Sequence, residues 1–174
     1  MRAGNILYGL VFLAGVGVYA AMLLWTLPAI TEAAGGLMPF DMRPFGYTHT
    51  EALNFLAALT PEGLSLYLGP QAWLDRAYPA LLGLFLAWSF LRLGPGTLPR
   101  VVLVVAALAG AGFDYFENAR VHAMLLAGPQ GTTETMAQAA SLATVLKSGL
   151  VTFCLTALLL LVLWRGWRRL RGVS

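Results

Sequence analysis

This chain is poor in charge. Only 11% of its 174 residues are Asp, Glu, Lys or Arg, while 59% are hydrophobic. That balance excludes an ordinary soluble domain and fits an integral membrane protein. Cysteine is scarcer still. Cys154 is alone, which excludes an intrachain disulfide framework and any C-x-x-C redox or metal motif. Lying inside an apolar run, it reads as a small packing residue. No G-x-S-x-G, H-E-x-x-H or P-loop pattern is present, so no familiar hydrolase, metalloprotease or nucleotide signature points to an enzyme class. Internal repeats, low-complexity tracts and the short alternating segments of a membrane barrel are also missing.

What remains is a set of long apolar runs. Crossing a hydrocarbon core of roughly 30 Å takes about 20 apolar residues, and runs at about 6–27, 73–93, 98–119 and 141–164 reach that length. Backbone polar groups in lipid must be satisfied within helices or closed barrels. The predicted fold is therefore an all-α membrane protein, a four-transmembrane-helix bundle over residues 1–174. It has a partly helical outer loop, 28–72, between helices 1 and 2, and a basic tail, 165–174. A signal peptide ending near Val18-Tyr19-Ala20 is the alternative for the first run. The run continues to Trp25, however, which favours an uncleaved helix.

Charge placement orients the bundle. Arg2, Arg92, Arg100, Arg165, Arg168, Arg169 and Arg171 fall on one side. By the positive-inside rule, both termini are then cytoplasmic. All 8 acids fall toward the other side, where only Arg43, Arg76, Arg120 and Lys147 offset them. The tail Trp164-Arg165-Gly166-Trp167-Arg168-Arg169 reads as an interfacial anchor on anionic lipid rather than a nucleic-acid contact.

The long connection carries its own helix signals. Thr48-His49-Thr50-Glu51 fits a capping box, and Thr60-Pro61-Glu62 opens a second short helix. With the turn-rich stretch Pro39 to Tyr47, these segments predict a lid over the outer end of the bundle. The third connection, Gly128-Pro129-Gln130-Gly131, predicts a turn, with Thr132 or Thr133 capping the last helix.

Polar residues within the apolar runs mark the candidate site, because intramembrane charge is costly. At 100° per residue, Ala107, Gly110, Ala111, Asp114, Glu117 and Asn118 share one face of the third helix, whose small residues mark a packing face. Lys147 shares a stripe of the fourth helix with Ala143, Thr144 and Cys154. Asp75 shares a face of the second helix with Tyr78, Pro79 and Leu82. The faces converge on an outward-facing pocket with Asp75, Tyr78, Asp114, Glu117, Asn118 and Lys147 as ligand-binding residues. Arg43, Tyr47, Arg76, Arg120 and His122 are expected at its rim or lid, with His49 a further lid candidate. A metal site drawing on Glu117, Asp114, His122 or His49 is disfavoured, since Glu117 and His122 are five residues apart and face different ways. Neither a metal nor a cofactor is predicted.

A purely structural account also fits part of this pattern. Asp114 and Lys147 would neutralise each other, and Asn118 would hold helices together by one hydrogen bond. Three inward acids against one inward lysine strain that account. At least one carboxyl is left over, suited to proton transfer or cation binding.

The segment Phe40-Asp41-Met42-Arg43-Pro44-Phe45-Gly46-Tyr47, with Asp75, Tyr78-Pro79 and Asp114 to Asn118, resembles a group of uncharacterised bacterial four-span integral membrane proteins over most of the chain. That resemblance implies the bacterial inner membrane and brings no known reaction. The span count and intramembrane acids are also similar to those of the sterol-isomerase superfamily. The long first loop and outer placement of the acids depart from it, so no residue roles are carried over. Function is expected to be binding or moving a cationic or amphiphilic small molecule or a lipid headgroup. The alternatives are a membrane enzyme acting on an outer-leaflet lipid, and an accessory subunit of a larger membrane complex. Membrane lipids are the expected partners, with a homo-oligomer or larger complex open and no nucleic acid.

Overall fold

The computed structural model describes residues 2–171; Met1, residues 172–174 and the side chain of Arg2 lie outside the described residues. Arg2 of the predicted basic rim and the last three residues of the predicted tail fall there. Helix α1 (Arg2–Ala21) passes through a π-turn (Met22–Thr26) into α2 (Leu27–Ala33) without a break. Pro28 stands near the start of α2. A proline has no N–H for the preceding turn and its ring crowds that turn's carbonyl, and the wider π-turn absorbs both defects. The rod ends at Gly35 and Gly36, both at positive φ, and Gly36 N–H donates to Thr31 O at 2.9 Å.

A 3-10 turn (Phe40–Met42) leads to α3 (His49–Ala58) and α4 (Pro61–Leu66). Both start as their sequences predict. Thr48 and Glu51 form the reciprocal capping box, and the Thr60 hydroxyl accepts from Gly63 N–H. A second π-turn (Tyr67–Gln71), containing Pro70, joins α4 to α5 (Ala72–Leu93). Two long helices complete the chain, α6 (Thr97–Gly131) and α7 (Glu134–Leu170). The described residues form no strand.

Three helical stretches are long and apolar enough to cross a bilayer: Ala3–Ala33, Thr97–Gly131 and Glu134–Leu170. The chain is thus an all-helical membrane protein. The 22-residue α5, which carries Asp75 in its first turn and Arg92 in its last, is not among these three. It packs between α1 and α6, and α6 packs on α7. At Gly83 an added Cβ would lie 3.0 Å from Ala111 Cβ, so glycine lets α5 and α6 approach closely.

Three arginines tie one end of the molecule together. Arg92 donates to Gly4 O at 3.1 Å, Arg100 to Gly94 O at 3.2 Å, and Arg165 to Leu93 O at 3.1 Å. The start of α1, the end of α5, the start of α6 and the end of α7 therefore meet at this basic end.

The elements differ from the predicted spans in their ends. α6 runs 12 residues past position 119, because Val121, Met124 and Leu125 continue its buried stripe. It breaks only at Gly128, whose φ is +66°. α7 starts at Glu134 with Thr133 as its cap, one of the two threonines expected there, so the helix begins ahead of its apolar span at 141. Residues 28–33, predicted as loop, extend the first helix. These extensions build a second core outside the apolar bundle, where Ile30, Phe40, Phe55, Tyr67, Met124 and Ala140 pack together. A separate cluster of Leu86, Phe90, Leu103, Ala107 and Cys154 fills the other half.

Candidate functional site

Between the two apolar cores lies a polar cluster centred on Lys147, the chain's one lysine. Its ammonium touches the Glu117 carboxylate and lies 3.2 Å from Asp114 Oδ1 and 3.8 Å from Asp41 Oδ1. Glu117 is wholly buried on α6, and its Oε1 accepts from Thr144 Oγ1 at 2.6 Å. Small residues at Ala107, Gly110, Ala140 and Ala143 on the same stripes let α6 and α7 bring these groups together. Asn118 donates through Nδ2 to Asp114 Oδ1 at 3.2 Å and to the Asp75 backbone carbonyl at 3.1 Å, joining α6 to α5.

Asp75 stands apart from the ammonium. Its Oδ1 accepts from Gln71 Nε2 at 2.8 Å, and Gln71 Oε1 in turn accepts from Thr26 Oγ1. No cation pairs with Asp75 among the described residues. Asp41 Oδ2 accepts from the Tyr67 hydroxyl at 2.6 Å. Three carboxylates, Asp41, Asp114 and Glu117, thus share one ammonium, and a fourth, Asp75, is held by Gln71 instead.

The lid supplies two phenols. Tyr47 and Tyr67 are buried, and burial first, then the charges of Glu117 near Tyr47 and Asp41 near Tyr67, pushes both well above the ordinary value of 10. Both hydroxyls stay protonated at any physiological pH. Tyr67 spends its proton on Asp41. The Tyr47 hydroxyl, sealed from solvent close to Glu117 and Thr144, has no hydrogen-bond partner. An unpaired buried donor costs about 1–3 kcal/mol. The lid is pinned over the cluster by Tyr47 N–H donating to Ser141 Oγ at 2.8 Å and by His49 Nε2 lying 3.0 Å from Thr132 O. Gly46, at φ +84° against Ser141, makes that approach.

Two cavities adjoin the cluster. One, of about 370 Å³, is bordered by Asp41, Asp75, Arg76, Tyr115, Asn118 and His122. The other, of about 490 Å³, reaches Asp41, Asp75, Asp114 and Lys147 from the side of α1, with Tyr19 and Tyr78 on its walls. Asp41 and Asp75 belong to both.

Of the residues named from sequence, Asp75, Tyr78, Asp114, Asn118 and Lys147 line one or other cavity, while Glu117 lies behind Lys147. Arg76 and His122 border the smaller cavity. Arg43 is engaged elsewhere, donating twice to Met38 O and lying 5.7 Å from the Phe40, Tyr47 and Phe55 ring centres. Arg120 is exposed over Phe116 and lines neither cavity. Sequence reasoning did not place Asp41, Tyr67, Gln71 or Thr144 in the site. Thr144 sat on the Lys147 stripe and was within reach of that reasoning. Asp41 sits in a loop without periodicity, where no angle or depth could be assigned.

An all-helical membrane protein with a buried, acid-rich polar centre is the class these observations define. Set against family models, curated proteins and solved structures, the chain has no match.

Proposed function

We propose that the protein is a single membrane domain that binds or moves a cationic or amphiphilic small molecule or headgroup through its acidic intramembrane pocket. Lys147 answers Glu117 and Asp114, leaving Asp75 and much of Asp41 without a counter-charge beside two cavities. That surplus carries the reading. A merely structural network would be balanced, since uncompensated buried charge is costly.

In this reading α5 also crosses the membrane, making four spans. Support comes from its packing between α1 and α6 and from the arginine ties that gather alternate helix ends. The basic end faces the cytoplasm of a bacterial inner membrane, both termini are inside, and the lid faces out.

A thermal-shift panel of cationic, zwitterionic and anionic amphiphiles, run on protein in lipid nanodiscs, tests the proposal. Cations alone should raise the melting temperature of the wild type saturably, and Asp75→Asn should weaken that effect at least tenfold in concentration. Stabilisation by anions, or equal response of wild type and Asp75→Asn, would overturn it.

A further inference from the structure

The larger cavity does not stop at the acids. Below it, between α1, α5 and α7, lies an apolar hollow of about 160 Å³ lined by Val11, Phe12, Gly15, Leu81 and Phe85. Tyr19, Tyr78, Leu82 and Leu155 belong to both spaces, so they are contiguous. Along α1 and the π-turn into α2 the combined groove runs from Val11 to Leu27, a rise of about 24 Å at 1.5 Å per residue. One end is acidic and the other is hydrocarbon. The groove also has a side door. α1 is held to the bundle chiefly through α5, and α7 through α6. Residues of both α1 and α7 line the larger cavity, so its mouth lies between two helices that face lipid.

We infer that this groove holds one single-chain amphiphile with a cationic, quaternary-ammonium-like head, taken in sideways from the membrane between α1 and α7. The inference rests on the cation-binding reading of the acidic pocket and specifies its ligand. Charge complementarity selects the head, because the surplus carboxylates Asp75 and Asp41 stand at the groove's polar end. The neck fits the same chemistry. Tyr19 and Tyr78 stack there with ring centres 5.4 Å apart, and aromatic walls attract a cation that cannot donate hydrogen bonds. The volume of the apolar hollow, about 160 Å³, suits one hydrocarbon chain rather than the two of a bilayer lipid. Bulk lipid is further disfavoured at the head, where an anionic or zwitterionic phosphate would meet carboxylates.

The test uses alkyltrimethylammonium ions of increasing chain length, with the full chain in nanodiscs, comparing wild type with Leu155→Trp, Gly15→Leu and Asp75→Asn. Partition into the bilayer is common to all four proteins and cancels at each chain length. Leu155 is about half exposed on α7, and an added Cβ at Gly15 meets Leu81 only at 3.7 Å, so the two blocks act from opposite walls with different folding risks. Affinity of the wild type should rise at least tenfold from butyl to dodecyl. Gly15→Leu, which touches the apolar hollow alone, should abolish that rise while leaving butyl binding within twofold; Leu155→Trp, on the wall that the two spaces share, should abolish the rise as well; and Asp75→Asn should weaken every length alike. If affinity is independent of chain length, or its rise survives both blocks, the groove assignment fails while the pocket reading stands. If no ammonium ion binds at any length, both fall.

Discussion

Replacing Lys147 by methionine removes the one ammonium from a cluster of four carboxylates while nearly keeping its volume. At an effective dielectric of about 20, Asp114 at 3.2 Å attracts the ammonium by about 5 kcal/mol and Asp41 at 3.8 Å by about 4 kcal/mol. Glu117 is in direct contact and adds to this. Much of that attraction offsets the desolvation of the ions, so the sum is not a stability. Breaking a buried pair by removing one partner nonetheless costs about 3–5 kcal/mol, because the remaining charges stay buried. At about 2–4 °C per kcal/mol for a chain of this size, Lys147→Met should lower the nanodisc melting temperature by about 10 °C. Adding Glu117→Gln and Asp114→Asn to Lys147→Met should recover at least half of the loss. The amide oxygens that replace the two carboxylates can still accept from Thr144 and Asn118, and no charge is left buried between them. A melting temperature for Lys147→Met within about 2 °C of wild type would refute the electrostatic account of the cluster.

Further outcomes follow from the lid and its anchors. Thr48→Ala removes an N-cap of α3 and should cost about 1 kcal/mol, read as faster amide exchange confined to α3. The Glu51 carboxylate is held below its ordinary value of 4.5, first by Thr48 N–H and then by the Thr48 hydroxyl. Its contribution is therefore present above pH 4.5 and is lost as pH falls through the lowered value, so α3 protection should decline below about pH 4.5. Tyr47 and Tyr67 act in the opposite direction. Their stabilisation is complete below pH 10 and is lost as pH rises beyond it, so alkaline unfolding should set in earlier for wild type than for Tyr47→Phe. Gly46→Ala places a Cβ 2.6 Å from Ser141 Oγ at a positive φ. It should detach the lid, exposing Tyr47 N–H to exchange, while leaving the far cluster around Phe90 protected.

Much of the frame was legible because its signals are local. Apolar runs, the Thr48 and Thr60 caps and the stripe from Ala107 to Asn118 depend only on helical period and short-range hydrogen bonds. The meeting of Asp114, Glu117 and Lys147 followed from angle and depth on straight helices. What stayed hidden has physical reasons. Helix ends shifted because hydropathy marks where lipid stops, not where a helix stops, and the buried Val121 and Met124 carry α6 on under the lid. The π-turns at Met22 and Tyr67 are responses to Pro28 and Pro70, and no periodicity shows whether a proline kinks a helix or widens its turn. Asp41 reaches Lys147 through a tertiary fold-back of the 3-10 turn onto α7, fixed by the Phe40 packing against Tyr47 and Phe55. Such a contact has no local pattern.

Because the chain has one lysine, its ammonium is a single reporter at the centre of the proposed site. Following the Lys147 Nζ signal by nitrogen-15 NMR while titrating dodecyltrimethylammonium into wild type and Asp75→Asn therefore tests the cation-binding claim most directly. The account predicts a saturable shift in the wild type that weakens at least tenfold in Asp75→Asn. A Lys147 signal that stays fixed while the amphiphile binds would place the ligand elsewhere and contradict it.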